Sequence, residues 1–268
     1  MLRKFLFVLL LLGSLAGIGH AETANSPADG AAGPIRILFI GNSLTYFNDL
    51  PAVLEQTANH DGVIRAETAL VASGGATLAQ HWKDGAAAEM IRSGDWDYVV
   101  LQEQSQLGAR IENGARKMDE PEAFYSAARE FDREINNADA QTVFMLTWSH
   151  KDKPEEQALL HEAYESIACE LGAVLAPAGA AWRLLRERNS GIDLYYDNVH
   201  PNFNGTYLSA MVVGMILVPG FPKSGGGVHD FIVAAEEPPA TLFETYSISP
   251  VTAFRLRHAA RIIVEGRP

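Results

Sequence analysis

Three side chains in this sequence have the types and placement needed for acyl transfer: Ser43, Asp197 and His200. Catalysis by a serine needs a hydroxyl, a base to take its proton and a carboxylate to hold that base in the right tautomer. Ser43 ends Gly41-Asn42-Ser43, and Asp197-Asn198-Val199-His200 lies far downstream. An Asp three residues before a His in a tight turn can reach the ring nitrogen that faces away from the serine, orienting the imidazole and raising its basicity. Ser43 also follows Ile35-Arg36-Ile37-Leu38-Phe39-Ile40, an apolar, β-rich run that predicts a first, buried strand. A nucleophile there sits at the carboxyl edge of a sheet, where open α/β folds hold their sites.

The pattern resembles the SGNH branch of the GDSL-type esterases and lipases, whose short sequence blocks are scattered over one α/β/α domain. Gly41-Asn42-Ser43-Leu44 corresponds to the first block, with Asn42 where the family name has Asp. Ser73-Gly74-Gly75-Ala76-Thr77 corresponds to the second, and the resemblance implies that Gly75 offers its N–H to an oxyanion beside that of Ser43. The third block departs from the family. Gly-x-Asn-Asp is usual there, with the Asn carboxamide as a donor, whereas this chain has Tyr98-Val99-Val100-Leu101-Gln102-Glu103-Gln104-Ser105-Gln106. Gln carries the same carboxamide on one more methylene. If the strand continues, Gln102, Gln104 and Gln106 share a face; Gln104 is the expected donor and Gln102 the alternative. The block Asp197-x-x-His200 is intact, and the resemblance spans roughly positions 35 to 217. It implies a flavodoxin-like, three-layer α/β/α fold.

The first residues pair a positive start, Arg3 and Lys4, with an apolar run from Phe5 to Leu12 and a small-residue exit at Gly19-His20-Ala21. That reads as a secretory signal peptide over 1–21, with an uncleaved membrane anchor as the alternative. No Cys follows the run to carry a lipid. Residues 22–33, rich in Ala, Pro, Ser and Gly, are expected to be a flexible mature N-terminus, and 34–268 a single domain. The expected location is the periplasm or the exterior. A formal charge of −12 over 268 residues argues against nucleic acid or polyanions as partners. No stable membrane insertion is expected after cleavage, and the oligomeric state is open. The single cysteine, Cys169, cannot form an internal disulfide and is expected to pack within a helix over Glu155 to Leu171.

Strand-like runs near 35–41, 63–71, 97–102, 141–147 and 173–176 alternate with helix-like runs near 48–60, 78–92, 120–137, 154–171 and 178–188. That alternation predicts a mostly parallel sheet covered by helices on both faces. Tyr207 to Val218 is too short to cross a bilayer and reads as a buried helix carrying the histidine loop on its amino end. Beyond Pro219, Gly225-Gly226-Gly227 and Pro238-Pro239 mark loops. Val251, Phe254, His258, Ile262 and Ile263 suggest an amphipathic closing helix.

His81-Trp82 and Trp148-Ser149-His150 could line a cleft, and Trp148 and His81 are the candidate substrate residues, against ordinary core and surface roles. The histidines show no metal-ligand spacing, although Asp193, Asp197 and His200 could hold an ion. Asn204-Gly205-Thr206 fits a glycosylation acceptor or a helix-start turn. Gly74-Gly75 lacks the Gly-Lys-Ser/Thr ending of a phosphate loop. No cofactor is implied.

The expected activity is an exported serine ester hydrolase acting through an acyl-enzyme. The Gln-containing third block is more similar to carbohydrate acetylesterases than to long-chain lipases, so a short acyl group on a glycan is the first substrate expectation. A lysophospholipase or general carboxylesterase is the second. A non-catalytic surface-binding protein on the same fold is the reading of another class.

Overall fold

Strand β1 (Ile35–Gly41) is buried on both faces, which is why it reads as an apolar run with little alternation. Leu38 and Ile40 join one apolar cluster while Ile37 and Phe39 join the other. The computed structural model describes residues 33–223, 230–234 and 243–266. The leader, residues 22–32, residues 225–227 and Pro238-Pro239 lie outside the described residues, so the readings made for them are not addressed.

After β1 come α1 (Ser43–Tyr46), α2 (Leu50–Ala58), β2 (Ala66–Ala72), α3 (Leu78–Asp84), α4 (Ala86–Ser93) and β3 (Tyr98–Leu101). A short hairpin of β4 (Arg110–Glu112) and β5 (Ala115–Lys117) follows. Then come α5 (Glu122–Asn137), β6 (Gln141–Met145), α6 (Glu156–Leu171), β7 (Val174–Ala176), α7 (Ala178–Glu187) and α8 (Phe203–Leu217). The described residues end with a second hairpin, β8 (Asp230–Ala234) and β9 (Phe243–Ser247), and α9 (Pro250–Glu265).

The main sheet is parallel throughout, in the order β2-β1-β3-β6-β7. Helices α2, α7, α8 and α9 pack on one face, and α3, α4, α5 and α6 on the other. The predicted α/β/α layering is therefore present. The chain reverses its direction of winding between β1 and β3, and such a switch point opens a crevice at the strands' carboxyl ends. Ser43 lies there, two residues past Gly41.

Several local readings need correction. The run 78–92 is two helices, because Gly85 ends α3 and begins α4. Cys169 is exposed rather than packed. On α9 the inward face is Ala253, Leu256, Arg257 and Ala260, while Val251 and Phe254 face outward. The β4–β5 hairpin was not predicted, although Asn113-Gly114 between its strands is a hairpin-turn pair.

Candidate active site

Asn42 caps the turn that presents Ser43. Its Oδ1 accepts the Leu44 N–H at 3.1 Å, and its Nδ2 donates to the Ala76 carbonyl at 2.9 Å. One buried side chain thus ties the nucleophile to the second Gly-rich block. An Asp would have no proton to give Ala76, so the Asn serves a purpose of its own here. Gly75 in that block has φ +67°, a conformation costly for any residue with a Cβ. Among the described residues, neither the Ser43 nor the Gly75 N–H finds a hydrogen-bond acceptor, so both can donate to a developing oxyanion.

His200 bridges the other two groups. Its Nε2 lies 3.0 Å from Ser43 Oγ and its Nδ1 lies 2.8 Å from Asp197 Oδ2. Asp197 Oδ1 accepts the backbone N–H groups of Val199 at 2.6 Å and His200 at 2.7 Å, so the turn and the carboxylate fix each other. Burial works to raise the Asp197 carboxyl. The His200 ring and these two N–H groups outweigh it and hold the group down at about 2. An ionised carboxylate can only accept, so Nδ1 carries the imidazole proton and Nε2 is left to accept from the Ser43 hydroxyl. The Phe47 ring stacks on the imidazole at 4.8 Å between centroids.

Sequence distant from the triad holds this loop. The Trp148 indole N–H donates to the Val199 carbonyl at 3.0 Å, and Asn48 Nδ2 donates to the Pro201 carbonyl at 3.0 Å and to Thr206 Oγ1 at 2.9 Å. Asn202 caps α8 by accepting the Gly205 N–H at 3.2 Å, which puts Asn204-Gly205-Thr206 in its first turn.

Trp148 is therefore not a substrate residue. It is about 1% exposed, stacks on Trp182 at 3.9 Å and does not line the cleft. His81 is corrected in the same sense: it is buried, and its Nε2 lies 2.7 Å from the Gly41 carbonyl. His150, from the same segment as Trp148, does line the cleft.

The altered third block resolves into different roles because β3 stops at Leu101 and the glutamines cease to share a face. Gln102 is about 1% exposed, and its Oε1 accepts the Asn42 N–H at 3.0 Å and the Thr45 hydroxyl at 2.9 Å. Its Nε2 donates to the Glu103 carbonyl at 2.5 Å. It fits only because position 41 is glycine, whose Cβ would lie 2.5 Å from Gln102 Oε1. Gln102 thus braces the nucleophile turn and is corrected as an oxyanion donor. Gln104 and Gln106 both line the cleft.

Between them, Glu103 turns inward. Its carboxylate accepts the N–H of Leu78 at 3.0 Å and of Gln104 at 2.6 Å, joining the second block to the third. Burial pushes this carboxyl up to about 7, against those two hydrogen bonds. The signal for such a residue in sequence is an acidic side chain placed just after an apolar strand.

The cleft has a volume of about 600 Å³ and is lined by Ser43, Gly75, Gln104, His150, Lys153 and Asn198, among others. Among the described residues, no group of three or more His, Cys, Asp or Glu side chains is gathered to hold a metal. Asp193 instead pairs with Lys151 at 3.2 Å. No described helix is long and apolar enough to cross a membrane.

No protein-family model matches the sequence, and no curated protein matches it. Solved structures do. A protein from Slackia heliotrinireducens, provisionally assigned as an SGNH hydrolase, is 26% identical with a TM-score of 0.54, over 68% of this chain and 98% of that one. An acetyl xylan esterase is 14% identical with a TM-score of 0.55, over 68% and 100%. An acetylxylan esterase from Geobacillus stearothermophilus, solved as a catalytic mutant, is 16% identical with a TM-score of 0.53, over 71% and 96%. These likenesses establish a shared fold.

Proposed function

We propose that this chain, which has the fold of the SGNH/GDSL-type hydrolases, is a serine ester hydrolase that works through an acyl-enzyme. The observation that carries the reading is the His200 ring held between Asp197 at 2.8 Å and Ser43 at 3.0 Å, with two unclaimed N–H groups beside the nucleophile. His200 takes the Ser43 proton as the oxygen attacks the ester carbonyl. Negative charge moves onto the carbonyl oxygen, where the Ser43 and Gly75 N–H groups and the Gln104 carboxamide can meet it. The imidazolium returns the proton to the leaving alcohol. Water then repeats the sequence on the acyl-serine and regenerates Ser43.

The substrate we propose is a short acyl group, acetyl first, on a carbohydrate. Support comes from the hydrogen-bonding side chains that line the cleft beside Ser43, among them Gln106, His150, Lys153 and Asn198, and from the two acetylxylan esterases among the similar structures. Export is proposed from the leader-like first residues alone. The natural N-terminus, read by mass spectrometry of protein recovered outside the cytoplasm, is expected at Glu22; an intact Met1 on a membrane-bound species would contradict this.

The test of activity is hydrolysis of p-nitrophenyl esters of increasing chain length. Acetate should be preferred, and Ser43→Ala should lower turnover by ~10⁴ or more. Preference for long acyl chains would favour a lipase-type substrate. Folded Ser43→Ala protein that kept most of its activity would remove the mechanism.

A further inference from the structure

The cleft contains a second serine–histidine contact that the acyl-transfer scheme does not use. Ser105 Oγ lies 3.1 Å from His150 Nε2, and both residues line the cleft that holds Ser43 and His200. Ser105 is about 4% exposed, so it is poorly placed to meet substrate directly. Its other hydrogen bond identifies a different role: Gln104 Nε2 donates to Ser105 Oγ at 3.2 Å.

The far end of the Gln104 carboxamide is equally constrained. Oε1 accepts the N–H of Gln106 at 2.7 Å and of Gly108 at 3.2 Å. Both partners are donors, so the oxygen must face them and the amino group must face Ser105. Ser105 Oγ, already accepting from Gln104, makes its second contact with His150 Nε2 at 3.1 Å. The three side chains thus form one line of contacts, Gln104 to Ser105 to His150. Among the described residues, the second Gln104 Nε2 proton has no acceptor.

The histidine end is anchored to the triad loop. The Lys151 N–H donates to the Asn198 carbonyl at 2.8 Å, Asp152 N–H donates to Asn198 Oδ1 at 3.1 Å, and Asn198 Nδ2 donates to Asp152 Oδ1 at 2.7 Å. Asn198 lies between Asp197 and His200, so the loop that carries His150 is registered against the catalytic base.

We infer that Ser105 and His150 are positioning residues that hold the Gln104 carboxamide with its remaining N–H available to the oxyanion. This inference rests on the ester-hydrolase reading. In this chain a glutamine replaces the shorter amide, and its extra rotatable bond must be immobilised before it can act as a preorganised donor. The two N–H groups on Oε1 and the Ser105–His150 pair on Nε2 supply that restraint.

The experiment is p-nitrophenyl acetate kinetics on wild type, Gln104→Ala, Ser105→Ala, Ser105→Thr, His150→Ala and the Gln104→Ala/Ser105→Ala double variant, with Ser43→Ala as control and melting curves for each. Ser105→Ala and His150→Ala should lower kcat ~10-fold with KM changed by less than about twofold. Ser105→Thr, which keeps the hydroxyl, should recover most of the loss. The double variant should be no slower than Gln104→Ala alone, because the positioning pair has nothing left to position. Multiplying losses in the double variant, a raised KM with unchanged kcat, or full activity in folded His150→Ala would each overturn the inference. Absence of wild-type turnover, or its survival in Ser43→Ala, would strike the ester-hydrolase reading itself. Loss in Ser43→Ala with Ser105→Ala unaffected would strike the positioning role alone.

Discussion

The Trp148 indole N–H donates to the Val199 carbonyl at 3.0 Å, so a fully buried side chain just past the end of β6 holds the backbone immediately before His200. The stack of Trp148 on Trp182 fixes the indole, and the indole in turn fixes the loop. Trp148→Phe should keep an aromatic stack while leaving the Val199 carbonyl without its partner. The expected outcome is a stability loss of about 1–3 kcal/mol together with a several-fold fall in kcat. Denaturant melts and acetate kinetics on the same preparation check it; unchanged values for both would show that the bond contributes nothing to the loop.

Asp197 accepts three hydrogen bonds from within its own turn. Asp197→Asn presents an amide that can place an N–H against His200 Nδ1, favouring the wrong tautomer. Turnover should fall by ~10⁴ while the protein remains folded. Single-turnover acylation measured beside circular dichroism separates this from unfolding.

Gln102 and Gln104 should separate by readout. Gln102→Ala strands the buried Asn42 N–H and Thr45 hydroxyl, and should lower stability by about 2–4 kcal/mol. Gln104→Ala strands the Gln106 and Gly108 N–H groups, so it too should lower the melting temperature, but it should in addition lower kcat by ~10²–10³ with little change in KM. Full kcat in folded Gln104→Ala would contradict the division of roles.

Glu103 gives a pH dependence with a definite sign. Its folded-state carboxyl, pushed up to about 7 from the ordinary 4.5, binds a proton more tightly than the unfolded chain does. Its contribution to stability is therefore fully present below pH 4.5 and is lost as pH rises toward 7. Asp197 acts oppositely: held at about 2 from an ordinary 3.8, it contributes above 3.8 and loses that contribution on acidification. In Glu103→Gln the stability difference from wild type should change by up to about 3 kcal/mol across the Glu103 window. Denaturant midpoints measured at steps between those two pH values test it, and parallel curves would reject it.

The sequence alone carried the elements whose physics is local. Ser43 could be placed because it follows a continuous apolar strand, and Asp197 and His200 because three residues of turn suffice to join them. The alternation of strand and helix runs implied the layered sheet. Where two interactions competed over distance, local pattern failed. Side-chain alternation put Gln102 and Gln104 on one face, but the rule ends with β3 at Leu101. Beyond that point each carboxamide turns toward its own partners: Asn42 and Thr45, remote in sequence, for Gln102, and the following loop for Gln104. Apolar periodicity on α9 favours Val251 and Phe254, yet packing buries Ala253, Leu256, Arg257, Ala259 and Ala260 and leaves Val251 and Phe254 outside. Trp148 and His150, two positions apart, look alike as cleft candidates in sequence. Only the fold sends the indole into the core, where Trp182 and the Val199 carbonyl receive it, and leaves the imidazole at the cleft. Burial of a polar group requires a partner, and that partner comes from tertiary structure.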